Sequence, residues 1–125
     1  MTNYTYPKTH RLLTSAHYKH VFDNVCYKVH QPHIMAFVSN TDSEYPRLGL
    51  AITKKKLKTA VSRNLVKRLI KERFRHYAPQ LLAADMVFIL KKPTTELSNQ
   101  QITAQVDAIF AKILQKQAQK QTVVS

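Results

Sequence analysis

The sequence is poor in the residues from which small proteins usually build catalytic sites. Its 125 residues include only seven acids, which are scattered, and no close carboxylate pair that could hold Mg²⁺ as nucleases do. No credible pair of nucleophile and general base is present either. With a single glycine, Gly49, the chain has no glycine-rich phosphate loop. We therefore expect no catalytic residue in this chain, and phosphate binding only through side chains and helix ends.

Cysteine and long apolar runs are scarce as well. The single cysteine, Cys26, cannot form an internal disulfide, which fits a reducing compartment. No apolar run approaches the roughly 18 residues of a spanning helix. Residues 1–10 also lack the apolar core of a signal peptide. These absences predict a cytoplasmic protein with no membrane partner.

The spacing of cysteine and histidine early in the chain resembles a metal site only superficially. The residues concerned are His17, His20, Cys26, His30 and His33. Zinc sites usually use paired ligands with tighter spacing, and the last two histidines flank a proline that favours a surface turn. We expect no metal site in the protein.

Positive charge is what the chain has in excess. Twenty Lys and Arg residues against seven acids give a formal net charge of +13. Self-repulsion on this scale costs stability unless a partner neutralises it. Nucleic acid is the first candidate partner, ahead of an anionic membrane surface. Residues 47–75 hold eleven of the twenty basic residues and one acid, Glu72; such a block on one compact unit indicates a polyanion as its target.

The periodicity of apolar residues predicts the order αβββαβα in a single α+β sandwich with helices packed on a sheet. Predicted strands cover residues 25–30, 34–39, 47–53 and 85–90. Predicted helices cover residues 14–24, the segment from Thr59 to about Tyr77, and the segment after Ser98. We expect one domain over 1–125, with an extended lead-in over 1–10 and a frayed tail from about residue 115.

Two of the predicted strands have distinct faces, because successive side chains of a strand alternate. In the first strand Val25, Tyr27 and Val29 should share a face. In the third strand the core face should carry Leu48, Leu50 and Ile52, and the opposite face Arg47, Gly49, Ala51 and Thr53. Such a strip of small residues allows close approach of another molecule, or close packing of a helix. The strip by itself favours helix packing.

The central helix divides into an apolar and a basic side at about 100° per residue. The apolar side carries Val61, Leu65, Val66, Leu69, Ile70, Phe74 and Tyr77. The other side carries Asn64, Lys67, Arg68, Lys71 and Arg75. Like charges at this spacing repel, and lysines before a helix start oppose its dipole. Both costs disappear if phosphates lie there.

Aromatic residues near the charge suggest single-stranded nucleic acid, whose bases stack on rings. The candidates are Tyr18, Phe22 and Tyr27. Core packing is the commoner role for an aromatic residue at helical spacing, and the sequence leaves both roles open.

The stretch 47–75 resembles the signature of the bacterial ribonuclease P protein subunit. That family has an R-x-G-L strand, a lysine pair and a helix that begins R-N-R-x-K-R. The matching residues are Arg47, Gly49, Leu50, Lys55, Lys56, Arg63, Asn64, Lys67, Arg68, Glu72, Phe74 and Arg75, with Arg11, Leu12, Tyr18 and Phe22 upstream. The resemblance covers roughly residues 8–92.

The resemblance implies a four-stranded mixed sheet with a left-handed βαβ crossover, a fold shared with a domain of a small-subunit ribosomal protein. It also implies an RNA-binding subunit of the ribonucleoprotein that removes the 5′ leader of precursor tRNA. The RNA subunit would hold the catalytic Mg²⁺, and no obligate protein partner is implied. Residues implied to bind the catalytic RNA are Lys58, Arg63, Asn64, Lys67, Arg68, Lys71 and Arg75. Residues implied to bind the leader are Arg11, Tyr18, Phe22, Lys28, Arg47, Lys54, Lys55 and Lys56.

The chain departs from the family pattern at three positions. Leu65 replaces the third arginine of R-N-R and falls on the apolar side of the helix. Tyr18 stands where the family usually has Phe, which keeps a ring and adds a hydroxyl. Lys58 replaces a loop glycine found in many members. The resemblance further makes Gly49 and Ala51 a candidate floor for the leader cleft.

Two other functions compete with this assignment. A ribosome-associated or general RNA-binding module would explain the charge equally well, but would not prefer leader-bearing tRNA. A stand-alone nuclease would cleave RNA without any RNA subunit, and the scarcity of acids argues against it.

Overall fold

The computed structural model describes residues 15–41 and 43–124. Its helices are α1 (Ser15–Asp23), α2 (Ala60–Tyr77) and α3 (Asn99–Val124), and its strands are β1 (Val25–His30), β2 (Ile34–Ser39), β3 (Arg47–Ala51) and β4 (Asp85–Leu90). A short 3₁₀ turn, Ala78–Gln80, follows α2 at Pro79. The predicted order αβββαβα is confirmed. The expected lead-in over 1–10 and Arg11 lie outside the described residues.

The four strands form one mixed sheet in the order β1-β2-β4-β3. β2 is antiparallel to both β1 and β4, whereas β3 and β4 are parallel neighbours. The segment β3–α2–β4 is therefore the βαβ unit whose left-handed course the resemblance implies. Because β1, β3 and β4 run in the same direction, the carboxyl ends of these three strands lie at the same end of the sheet.

The main core lies between one face of the sheet and the helices α2 and α3. Leu48 of β3 is fully buried there, and Phe74, Phe88 and Phe110 pack together with ring centroids 5.2–6.3 Å apart. The predicted core face of β3 is confirmed. Leu65 also packs against this core, which confirms its place on the apolar side of α2.

The opposite face of the sheet carries α1. Val21, which is fully buried, packs against Val87 of β4, and Tyr18, Phe37 and Ala51 pack around this pair. The pairing register sets one row across all four strands beneath α1, which consists of Lys28, Phe37, Val87 and Gly49. This row defines the floor of the second face.

A β-bulge at the start of β1 alters the predicted alternation. Val25 pairs with Ser39, but Tyr27 pairs with Val38, so Cys26 is the extra residue. Residues directly opposite each other share a face, so Val25 and Tyr27 lie on different faces. The expectation that Val25, Tyr27 and Val29 share one face is therefore wrong for Val25.

Val61 is 80% exposed, and its assignment to the apolar side of α2 is wrong. The buried stripe of α2 consists of Val66, Leu69, Ile70 and Phe74. Val61 lies nine positions before Ile70, which places it about 180° away on the helix wheel. Val61 thus lies in line with Asn64 and Arg68, on the polar side.

The last helix continues past the point where its apolar stripe ends at Leu114. The side-chain amide of Gln117 accepts from the backbone N–H of Leu82 at 3.0 Å and donates to its carbonyl at 3.1 Å. These bonds tie α3 to the loop before β4 and explain why helical structure extends beyond residue 115. Fraying at the end of the chain stays a prediction.

Candidate nucleic-acid interface

The basic loop 54–58 is joined to α2 by a well-formed helix start. Thr59 has extended backbone angles, and its hydroxyl oxygen accepts from the backbone N–H of Ser62 at 3.1 Å, which confirms the predicted cap. Leu57 is 2% exposed and anchors the loop in the core. The lysines on either side, Lys54, Lys55 and Lys58, are exposed. The loop therefore presents positive charge from a fixed backbone.

Arg63 folds back onto this loop. Its Nη1 donates to the carbonyl of Leu57 at 2.9 Å and to that of Lys58 at 3.1 Å. The side chain thus stabilises the loop that carries the lysines. Direct contact of Arg63 with RNA stays a prediction.

The predicted basic side of α2 forms a continuous surface, which we call the basic face: Asn64, Lys67, Arg68, Lys71 and Arg75. Asn64 and Arg68 are exposed, and the other three are half-buried. Among the described residues, the Nε atom of Arg75 is a buried nitrogen with no hydrogen-bond acceptor. Such a donor costs about 1–3 kcal/mol unless a partner supplies an acceptor. The basic face is therefore suited to an anionic partner.

Arg73 lies outside the basic face. Its Nε donates to Asp107 of α3 at 2.7 Å, and its guanidinium lies 5.6 Å from the ring centroid of Tyr77. The hydrogen bond to Asp107 raises the pKa of Arg73 above its usual value. This arginine joins α2 to α3.

An aromatic corner lies on the α1 side of the sheet and consists of Phe22, Phe37 and Lys28. Phe22 is 43% exposed, and its ring meets Phe37 edge to face at 5.1 Å. Lys28 Nζ lies 5.5 Å from the centroid of the same Phe37 ring. Two rings and a cation at the surface can accept a stacked base and its phosphate.

Phe37 was not predicted as a site residue from the sequence, because β2 is apolar on both faces. The signal that identifies it is the register, which places Phe37 directly opposite Lys28. Register depends on contacts between strands, and neither strand reveals it alone.

Tyr18 lies one turn before Phe22 on α1, against the outer edge of β3. The Leu50 backbone N–H donates to the Tyr18 hydroxyl at 3.0 Å. Gly49 is buried, and Ala51 packs with Tyr18 and Val21. Ala51 of the small-residue strip therefore packs against α1, in line with the helix-packing interpretation. A role of Gly49 and Ala51 as the floor of the leader cleft stays a prediction.

Tyr27 belongs to the core side and not to the aromatic corner. It packs against the main core, and Lys116 Nζ of α3 lies 5.0 Å from its ring centroid. Burial raises the pKa of its hydroxyl. Of the three aromatic candidates, Phe22 is the exposed one, and it contacts Phe37, the ring that has Lys28 beside it.

Arg47 pairs with Asp85, its neighbour in the β3–β4 register. Arg47 Nε and Nη2 donate to the two carboxylate oxygens at 2.8 and 2.7 Å, and the Asp85 side chain is 1% exposed. This bidentate pair joins the starts of the two parallel strands. Leader contact by Arg47 stays a prediction.

A second group of lysines gathers at the opposite end of the sheet. Lys56 Nζ donates to the carbonyl of Lys91 at 3.1 Å, and Lys91 Nζ lies 3.4 Å from His30 Nδ1. Lys92 is exposed beside them. Lys91 and Lys92 were not predicted as site residues, because a pair of lysines after a strand is readily interpreted as no more than the end of that strand. The parallel pairing of β3 and β4 brings them to the basic loop.

Two features are absent from the described ranges, 15–41 and 43–124. No group of three or more His, Cys, Asp or Glu side chains is placed to hold a metal ion there. No helix within those ranges is both long and apolar enough to cross a membrane.

Comparison with known proteins gives a consistent result. The sequence matches the family described as Ribonuclease P over residues 6–114. It is 53% identical over 117 residues to the ribonuclease P protein component of Psychrobacter sp., which covers 94% of this chain and 90% of that protein. It is 40% identical over 113 residues to the corresponding protein of Vibrio parahaemolyticus, with 90% and 95% covered.

Solved structures show the same fold. The RNase P protein of Staphylococcus aureus is similar with a TM-score of 0.77 and 26% identity, over 84% of this chain and 97% of that one. The RNase P protein of Thermotoga maritima is similar in fold, with a TM-score of 0.71 over 82% and 96% of the two chains.

These matches support a role in tRNA processing and give no support to a general RNA-binding module. The basic face and the aromatic corner are both suited to RNA, and the described residues hold no metal-binding cluster. The chain belongs to the ribonuclease P protein family, whose members are the protein components of the ribonucleoprotein endoribonuclease and work with its RNA subunit.

Proposed function

We propose that this chain binds the RNA subunit through the basic face of α2 and holds the 5′ leader of precursor tRNA on the aromatic corner. The observation that carries this proposal is the separation of the two surfaces. α2 packs on one side of the sheet, whereas Phe22, Phe37 and Lys28 lie on the other. One small domain can therefore contact two RNA molecules at once.

The basic face contributes affinity through phosphate contacts. Each phosphate that a lysine or arginine neutralises releases counterions, so binding weakens as salt increases. Asn64 and the half-buried Arg75 add hydrogen-bond donors. Leu65, which packs in the core, leaves this surface one cation short of the family pattern.

The aromatic corner suits a single strand better than a duplex. Exposed rings stack on unpaired bases of any sequence, and nearby lysines bind the backbone between them. Lys28 lies beside Phe37, and Lys54, Lys55, Lys56, Lys91 and Lys92 lie at the end of the same sheet. The leader would pass from the rings toward these lysines.

The protein contributes binding and positioning to the reaction. Mg²⁺ held by the RNA subunit supplies the hydrolytic chemistry, while the seven acids of this chain are scattered. We place the assembled enzyme in the cytoplasm and propose no obligate protein partner and no cofactor bound by the protein itself.

Cleavage of precursor tRNA tests this proposal. The catalytic RNA is assayed at low Mg²⁺ with and without the purified protein, and affinity is measured for precursor and mature tRNA. We expect the protein to stimulate cleavage and to tighten binding of the precursor alone. A protein that does neither would contradict the proposal, and cleavage by the protein without RNA would support a stand-alone nuclease.

Replacing Arg68 with alanine tests the basic face. Arg68 is exposed in the middle of that face, so its loss should weaken binding to the catalytic RNA. The slope of log affinity against log salt should fall by about one unit, which corresponds to one lost phosphate contact. Lys112→Ala is the matched control, because Lys112 is an exposed cation on α3. Equal slopes for the two variants would remove Arg68 from the interface.

A further inference from the structure

We propose that the hydroxyl of Tyr18 is a clasp that fixes α1 to the edge of β3 and thereby sets the position of Phe22 over Phe37. Tyr18 is then a positioning residue for leader binding and not a ring on which a base stacks. The inference deepens the proposed function and rests on it for its effect on the leader. The clasp itself can be measured in the isolated protein.

Both backbone polar groups of Leu50 form hydrogen bonds with the Tyr18 hydroxyl. The backbone N–H of Arg47 donates toward β4, to the carbonyl of Ala84 at 2.9 Å. Because successive residues of a strand alternate in direction, the N–H and C=O of Leu50 point away from β4. There the Leu50 N–H donates to the Tyr18 hydroxyl at 3.0 Å, and the hydroxyl donates to the Leu50 carbonyl at 3.5 Å.

The hydroxyl therefore takes the place of a neighbouring strand at this residue. A phenol hydroxyl can accept and donate a hydrogen bond at the same time, so this one oxygen bonds to both the N–H and the C=O of Leu50. Tyr18 is half-buried, and its ring packs with Ala51 and Val21. The hydroxyl of Tyr18 is hydrogen-bonded and its ring is packed, so the side chain is held at the edge of β3.

Tyr18 belongs to the same helix, α1, as Phe22. Tyr18 and Phe22 are four residues apart and lie on the same side of the helix. Fully buried Val21 seats the middle of α1 on Val87, and Phe22 reaches Phe37 on β2. The contacts of Val21 and Phe22 with the sheet are apolar. The hydrogen bonds of Tyr18 thus give α1 a directional contact with the edge of the sheet.

Two substitutions at Tyr18 separate the clasp from stacking. Tyr18→Phe removes the hydroxyl and keeps the ring, whereas Tyr18→Leu removes both. If the hydroxyl positions α1, Tyr18→Phe should reduce the preference for leader-bearing over mature tRNA by about threefold to tenfold, which is the worth of one hydrogen bond. Tyr18→Leu should then add little, and the cleavage rate at saturating substrate should stay near that of the parent protein.

Tyr27→Phe is the matched control, since Tyr27 packs on the other face of the sheet. It should leave the leader preference unchanged. The opposite pattern, in which Tyr18→Phe matches the parent and Tyr18→Leu loses leader preference, would show that the ring stacks on a base and would overturn the inference.

Hydrogen exchange at the Leu50 amide measures the clasp without any RNA. Leu50 N–H should be protected in the parent and in Tyr27→Phe, and should exchange about threefold to tenfold faster in Tyr18→Phe, in line with the loss of one hydrogen bond. Equal exchange in all three proteins would overturn the clasp. If the parent itself shows no leader preference, the proposed function fails along with the link to the leader, while the exchange rate still decides whether the clasp exists.

Discussion

Replacing Asp85 with alanine should lower the free energy of unfolding by about 3 kcal/mol or more. The Asp85 side chain is 1% exposed and receives both donors of Arg47 at 2.7 and 2.8 Å. Removing it takes away the buried carboxylate that accepts both of these donors from a guanidinium that is itself only 18% exposed. Chemical denaturation of the parent and the variant measures this difference.

Asp107→Ala is the matched control for this prediction. The Asp107 carboxylate also pairs with an arginine, Arg73, whose Nε lies 2.7 Å away. The Asp107 side chain is 35% exposed, however, and that of Arg73 is 30% exposed. Water screens such a pair, so its removal should cost less than about 1 kcal/mol. The two aspartates differ in burial and in the number of arginine donors that they accept. Equal losses for the two variants would contradict the view that the Arg47–Asp85 pair anchors the parallel strands.

Replacing Phe22 with alanine should weaken binding of the leader by about 1–3 kcal/mol, or roughly 5-fold to 150-fold. Phe22 is 43% exposed and lies edge to face on Phe37, so its ring is available to a base without unfolding the core. Affinity for the catalytic RNA should stay unchanged, because that RNA is expected on the basic face. Precursor and mature tRNA binding to the assembled enzyme measures the effect.

Leu82→Ala is the control for Phe22→Ala. Leu82 has the same 43% exposure and lies in the loop before β4, away from the aromatic corner. Both variants should lose a similar, small amount of stability. If Phe22→Ala unfolds the protein, or if both variants keep the full leader preference, then Phe22 serves the core and the aromatic corner is not the leader site.

The local features of this fold could be predicted from the sequence. Periodicity within a segment determined the bounds of β1, β2 and β4 and the start of α2 at its Thr59 cap. The apolar position of Leu65 and the two faces of β3 are also properties of a single element. Each of these features depends on residues that lie close together in the sequence, within one or two helical turns or a few positions of one strand.

The features that the sequence did not reveal depend on pairing between distant segments. Phe37 joins the corner through its register with Lys28, and Lys91 reaches the basic loop because β3 and β4 are parallel. Arg47 and Asp85 are 38 residues apart, and Tyr18 and Leu50 are 32 apart. The assignment of Val61 to the apolar side of α2 was wrong for a local reason. The apolar side was drawn too wide on the helix wheel and so included a residue opposite Ile70.

Site-directed crosslinking in the assembled enzyme tests the central claim of two separate RNA surfaces most directly. In a Cys26→Ser background, a photoreactive group is attached at Val61→Cys, in line with the basic face, or at Lys28→Cys, beside Phe37. We expect the group at position 61 to label the catalytic RNA and the group at position 28 to label the 5′ leader of bound precursor tRNA. Labelling of the leader from position 61, or of the catalytic RNA alone from both positions, would contradict the account.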